Sequence, residues 1–304
     1  MRDARDMIRS TQRTDAFFNA LGIVCIVIVL GVLGVLLFNL AHEGLTRINW
    51  QFLTSFPSRR PEKAGILSAL VGSLLVMLVT AGTAIPLGVA AGVYLEEYAR
   101  KNRFTSLIEV NITNLAGVPS IVYGLMALGL FVYTFKFERS VLVGGLTLGF
   151  LVLPIVIVAT REALRSIPQY MREAAYALGA TRWQVIRHHL LPYSSGGIST
   201  GVIIALSRAI GETAPLITIG ALTFIAFLPP APITTDPTLK IQPFAWINSQ
   251  FTVLPIQMFN WVSRPGEDFL VNAAATGLIL MIVTLSMNAV AIAIRYRIRK
   301  RIKW

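Results

Sequence analysis

The chain has 304 residues, of which 55% are hydrophobic and only 14% charged, too much apolar surface for a water-soluble domain of that length. Its formal charge of +12 would point to nucleic acid in a soluble protein. Here Lys and Arg fall in short segments between long apolar runs, so membrane orientation accounts for the excess and a nucleic-acid partner is not expected. The one cysteine, Cys25, excludes an internal disulfide, and no Cys/His cluster has metal-ligand spacing.

In chain order, stretches free of Asp, Glu, Lys and Arg cover 16–41, 64–95, 110–135, 140–160 and 269–294. Each is long enough to cross roughly 30 Å of hydrocarbon as a helix. Another apolar stretch, 196–226, is interrupted by Arg208 and Glu212 and is read as the fifth of six spans. The first run is too long for the core of a cleavable signal peptide and reads as a retained anchor. Six spans put both termini on one face. Segments predicted on that face hold 18 Lys and Arg residues against 8 on the other, so both termini are predicted cytoplasmic. The expected organisation is a cytoplasmic segment 1–16, an anchor helix 17–41, a membrane domain 64–295 with an inner loop 161–192 and an outer loop 227–269, and a basic cytoplasmic tail 296–304.

Three GxxxG pairs, Gly88/Gly92, Gly145/Gly149 and Gly197/Gly201, allow helix backbones to approach closely, and packing within the bundle is their simplest use. Pro86, Pro119, Pro154 and Pro215 lie within spans and predict kinks.

The 161–192 loop reads as two short helices around a sharp turn. Ser166 with Gln169 and Thr181 with Gln184 both fit a capping box, with Pro168 in a first turn. Gly179 suits a left-handed helix end and Pro192 a stop. Ala174 and Ala175 leave room for a neighbouring protein, and Trp183 and Ile186 share one face at i, i+3 spacing.

Glu173-Ala174-Ala175, Gly179 and Leu191-Pro192 together resemble the EAA loop of bacterial ABC importer permeases. His189 stands where that family's motif usually has an apolar residue. The resemblance implies an all-α integral membrane protein with the six-helix, type I importer permease (MetI-like) fold. It also implies that Glu173, Ala174, Ala175, Gly179, Trp183, Leu191 and Pro192 form a coupling element that docks on a separate ATPase. No G-x-x-x-x-G-K-[ST] occurs, so the chain is not expected to bind a cofactor itself, and ATP and Mg are expected on the partner. Neither H-E-x-x-H, a nucleophile elbow nor a paired carboxylate in an apolar setting is found, and no enzyme or catalytic residue is predicted. His42, His188 and His189 make no metal set.

Arg208 and Glu212 are four apart, so on a helix they share a face near the middle of the fifth span and can pair. A lone Arg there costs about 2.5–3.5 kcal/mol, and such residues almost always face a wet path or the bundle interior. A purely structural ion pair is the alternative. Guanidinium offers a planar donor fork to an oxyanion, and a carboxylate accepts from a protonated phosphate but repels sulfate.

The run Ser207-Arg208-Ala209-Ile210-Gly211-Glu212-Thr213-Ala214-Pro215 resembles the fifth-span signature of phosphate permeases of the PstA type. Supporting runs are Gly117-Val118-Pro119-Ser120-Ile121-Val122-Tyr123-Gly124, and Leu254-Pro255-Ile256-Gln257 with Asn260-Trp261. This narrower resemblance implies a substrate pathway through Ser207, Arg208, Glu212 and Thr213 in a bacterial inner membrane. It implies four kinds of partner: a second, PstC-like permease, two PstB-like ATPase subunits, a PstS-like external phosphate-binding protein, and phosphate itself. Sulfate, molybdate or phosphonate permeases and the sister phosphate permease remain open, as do an ATP-independent transporter or channel and a membrane scaffold. The Pro- and aromatic-rich outer segment is expected to lie at the interface, plug the outer mouth or meet the binding protein.

Overall fold

The computed structural model describes residues 2–230, 234–235, 241–242 and 244–301. Pro232, Pro237, Pro243 and residues 302–304 of the tail lie outside them. The fold is helical, apart from two-residue strands Thr234–Thr235 and Ile241–Gln242 paired antiparallel in the outer loop. In order the helices are α1 Arg2–Leu45, α2 Trp50–Thr54, α3 Leu67–Val93, α4 Arg103–Leu115, α5 Ser120–Ala127, α6 Val141–Arg165, α7 Gln169–Ala177, α8 Arg182–Val185, α9 Leu191–Gly211, α10 Ala214–Thr218, α11 Leu254–Val262 and α12 Glu267–Arg301. π-Helical turns extend α3 over Tyr94–Tyr98 and α5 over Leu128–Thr134, and Ile186–Leu190 joins α8 to α9.

Among the described residues five helices are long and apolar enough to cross a membrane, and α4 with α5 forms a pair bent by 108°. The glycine pairs establish that this bent pair is a sixth crossing. A Cβ on Gly88 would lie 2.6 Å from Val156 and one on Gly92 2.6 Å from Thr160, while Gly145 meets Val79 and Gly149 meets Thr83. Residue numbers rise together along both helices, so α3 and α6 run parallel. The chain between them must therefore return across the layer, and only α4 and α5 are there to carry it. The third apolar run, 110–135, is thus two helices instead of one straight span, because Gly117 and Pro119 break the ladder between them.

Gly197 and Gly201 meet Ala163 and Ala159, so α9 packs antiparallel on α6. In lipid, where burying apolar surface drives no association, close van der Waals packing of small residues holds helices together. All three glycine pairs serve that purpose. Gly92→Leu should cost about 1–3 kcal/mol by overpacking, read as a lowered unfolding temperature in detergent. Gly82→Leu, with nothing within 4 Å, should leave that temperature unchanged.

Among the described residues α1 joins the bundle at its far end, where Gly44 abuts Ala274 and Leu40 abuts Gly277 of α12. Its apolar stretch is otherwise exposed. The outer segment divides. Trp246, Phe251 and Trp261 are buried, whereas Phe244 and Phe259 are exposed. α11 packs Leu254 and Trp261 into a cluster with Phe52, Ile66 and Phe269, so this part is protein core and does not lie flat at an interface. Arg47 ties the same corner, donating from Nε to Asn272 Oδ1 at 2.9 Å and from Nη2 to the carbonyls of Pro61, Glu62 and Ala64.

Candidate functional site

The fifth apolar run is not one helix through 226. α9 ends at Gly211, Glu212 is extended at φ −80° and ψ 121°, and α10 restarts at Ala214. Pro215 has no N–H to continue the α9 ladder, yet fits the first turn of a new helix. Gly220, at φ +89°, then turns the chain into irregular structure. Arg208 and Glu212 are therefore at a helix terminus instead of mid-helix as expected. They still pair, with Arg208 Nε 3.3 Å from Glu212 Oε1 and side-chain exposures of 39% and 21%.

The pair remains inside the apolar layer. Ala209 and Ile210 line a small cavity with Val76, Met77 and Leu148. Leu148 is seven residues into α6, about 10 Å below its start at 1.5 Å per residue. Among the described residues Nε is the one Arg208 atom that is bonded, so both Nη groups are available to an incoming acceptor.

Ser207 Oγ lies 2.7 Å from both the Ile203 carbonyl and Asn288 Oδ1. Asn288, on α12, escaped the sequence reading, although an amide within an apolar run was its visible signal. Thr213 immediately precedes α10 and its hydroxyl makes no capping bond.

Two runs singled out separately in the sequence meet here. α5 packs on α10, and a Cβ on Gly124 would collide with Thr218 Oγ1 and come 2.7 Å from Pro215 Cα. Tyr123 beside it is buried, donates to the Leu115 carbonyl at 2.8 Å and lies within electrostatic range of Arg208. The bend in the third crossing thus brings α5 against the break in the fifth. Backbone helix ends inside a membrane are tolerated only where protein or a cavity satisfies them.

The 161–192 loop forms α7 and α8 as expected, with differences at their ends. The capping box at Thr181 and Gln184 is complete, and Gly179 has φ +82°. Ser166 instead closes α6, its Oγ donating to the Ala163 carbonyl, while Pro168 occupies the N-cap position of α7. Pro192 does not stop a helix. The Leu191 N–H reaches back to the Ile186 carbonyl, five residues away, and this wider π turn lets a residue without an N–H enter the next helix at its first turn. Helical chain therefore continues from Arg182 to Gly211.

Glu173 and Ala174 face outward, but Ala175 is buried beneath the loop with Val93, Leu164, Ile167 and Leu190. Trp183 and Ile186 do not share an outer face, because Trp183 is exposed and Ile186 fully buried. Leu191 is half-buried and, with Trp183, lines a cavity of about 500 Å³ beside α3. His189 is exposed, so its departure from the motif disturbs no core. Tyr170 and Leu178, the latter 90% exposed, extend the outward patch and were missed because their exposure depends on how α7 packs.

Comparison with known proteins places these features together. Residues 84–304 match the model of the binding-protein-dependent transport system inner membrane component family. The "Phosphate transport system permease protein PstA" of Haemophilus influenzae is 34% identical over 274 residues, 88% of this chain and 89% of that protein. "PstA 1" of Mycobacterium tuberculosis is 29% identical over 98% of this chain and 92% of its own length. Among solved structures, a chain of a bacterial alginate ABC transporter aligns with TM-score 0.65 at 15% identity over 95% of this chain and 96% of its own. A chain of the MetNI methionine transporter aligns at 0.56 with 17% identity, covering 77% of this chain and 94% of its own.

Proposed function

We propose that this chain, which belongs to the binding-protein-dependent transport system inner membrane components, is the permease subunit through which an ABC importer admits inorganic phosphate to a bacterial cell. The observation that carries the reading is the meeting of two broken crossings at α10, beside the break that holds the Arg208–Glu212 pair, with Arg208 within the apolar layer and its Nη groups unengaged among the described residues. Similarity to PstA permeases over about nine-tenths of both chains supports phosphate as the cargo.

Phosphate binds the Arg208 guanidinium in a charge-assisted, bidentate manner, entering at the Nη groups and drawing Nε away from Glu212. The displaced carboxylate accepts a hydrogen bond from the protonated phosphate oxygen. A fully deprotonated oxyanion has no such proton and meets repulsion. Ser207 and Asn288 fix the α9 to α12 distance beside the path, and Thr213 offers a free hydroxyl at the break.

The face carrying the 161–192 loop is cytoplasmic in this reading. Glu173, Ala174, Gly179 and Trp183 meet an ATPase subunit, while Ala175, Leu191 and Pro192 shape the loop from within. ATP and Mg are bound by two PstB-like partners. A PstC-like permease completes the pathway, and a PstS-like binding protein delivers phosphate to the outer face.

Labelled-phosphate uptake tests this in cells lacking their own PstA-type permease. Expressing this chain with its partner subunits should restore uptake, and excess unlabelled sulfate should not compete. Sulfate competition equal to that by phosphate would replace the cargo, and no uptake of any oxyanion by an assembled complex would remove the reading.

A further inference from the structure

The loop that meets the ATPase is joined to the spans by ion pairs that the sequence reading did not use. Arg172, on the face of α7 opposite Ala174, donates from Nη2 to Glu97 Oε1 at 2.8 Å, with Nε 3.3 Å from the same oxygen. It also donates from Nη1 to the Ile167 carbonyl at 2.8 Å and from Nη2 to the Leu164 carbonyl at 2.9 Å. Side-chain exposures are 17% for Arg172 and 7% for Glu97. Leu164 is in the last turn of α6 and Ile167 just beyond it, where backbone carbonyls lack the i+4 helical partner. Glu97 lies in the π turn that ends α3. One guanidinium therefore grips α3 and α6, the tightly packed parallel pair, from α7.

The adjacent carboxylate points elsewhere. Glu96 lies 3.1 Å from Arg165 and 3.7 Å from Arg161, and Arg161 is 2.7 Å from Glu109 of α4. Neighbouring residues on a helical turn are rotated by about 100°, so the two adjacent carboxylates reach different partners from one turn. The same turn thus connects α7 to α3 and α6 through Glu97, and α6 to α4 through Glu96 and Arg161. α4 leads directly into the bend that places α5 against α10, just past Glu212.

We propose that the Arg172–Glu97 pair is a positioning tie for transport, which makes α3 and α6 follow α7 when the ATPase moves it. The inference rests on the importer reading above. Apolar contacts also hold α7, with Ala175 and Met171 packed on Val93, Leu164 and Leu190. These keep the loop folded when the tie is cut. They lack direction, however, whereas a four-contact guanidinium fixes both the distance and the rotation of α7. Without it, ATP-driven movement is absorbed by sliding at the apolar surface.

The test uses the complete importer in vesicles, with its binding protein, measuring phosphate moved per ATP hydrolysed. Glu97→Gln and Arg172→Gln should each lower that ratio about tenfold, within the usual range for coupling between sites, while the ATPase still co-purifies. The double variant should be no worse than the more severe single, because both remove one interaction. An unchanged ratio in Glu97→Gln, which preserves shape and leaves Arg172 its two carbonyls, would overturn the proposal even if Arg172→Gln failed to assemble. So would losses that multiply in the double variant. Absence of phosphate uptake by the unaltered importer would instead remove the importer reading, so the two failures are distinguishable.

Discussion

Replacing Arg208 by Ala is expected to reduce labelled-phosphate uptake by at least about a hundredfold, because the substrate loses a forked pair of charge-assisted hydrogen bonds inside the apolar layer. Arg208→Lys retains the charge but not the fork and should fall between, about tenfold below the native chain. Glu212→Gln should have a smaller effect on uptake but should allow sulfate to compete, since the repulsive carboxylate is gone. Assembly is the control. Arg208 is 39% exposed and Glu212 21%, so neither variant opens a hole in packed core, and each complex should co-purify with its ATPase. Normal transport by both Arg208→Ala and Glu212→Gln would leave the pair as a structural contact and place the path elsewhere.

Much of this arrangement was legible in the sequence because it is local. Apolar runs long enough to span a bilayer, the i, i+4 spacing of Arg208 and Glu212, and the Thr181 capping box each depend on a few consecutive residues. The run 110–135 contained its own break at Gly117 and Pro119, yet the absence of charge made it read as one helix. The segment 214–226 misled for the same reason. Its residues are apolar enough for lipid, but Pro215 and Gly220 favour a short helix and a turn, and surrounding protein satisfies the backbone there. The π turns at Tyr94–Tyr98 and Ile186–Leu190 have no clear signature, and the second explains why Pro192 is tolerated. Pairs distant in sequence left no local trace. Glu97 with Arg172 and Ser207 with Asn288 are 75 and 81 residues apart, and only the parallel packing of α3 on α6 and the antiparallel run of α12 past α9 bring them together.

Gly124→Val tests the junction between the two broken crossings. At this position even a Cβ would strike Thr218 Oγ1 and approach the Pro215 Cα and carbonyl oxygen at 2.7 Å. Two of those atoms are backbone, so no rotamer change relieves the clash, and α5 must move away from α10. Overpacking of this kind costs about 1–3 kcal/mol, which a bundle knitted by three glycine pairs elsewhere can absorb without unfolding. Function should not absorb it. Moving α10 shifts Glu212 two residues upstream, and a displacement of about 1 Å in a positioned group can cost on the order of a hundredfold. The expected result is a complex that assembles with its ATPase, unfolds at a modestly lower temperature and transports almost no phosphate. Gly129→Val, on the same crossing with nothing within 4 Å, should transport normally. Equal uptake by the two variants would mean that α5 and α10 merely pack, and that the site at Arg208 does not depend on the bend in the third crossing.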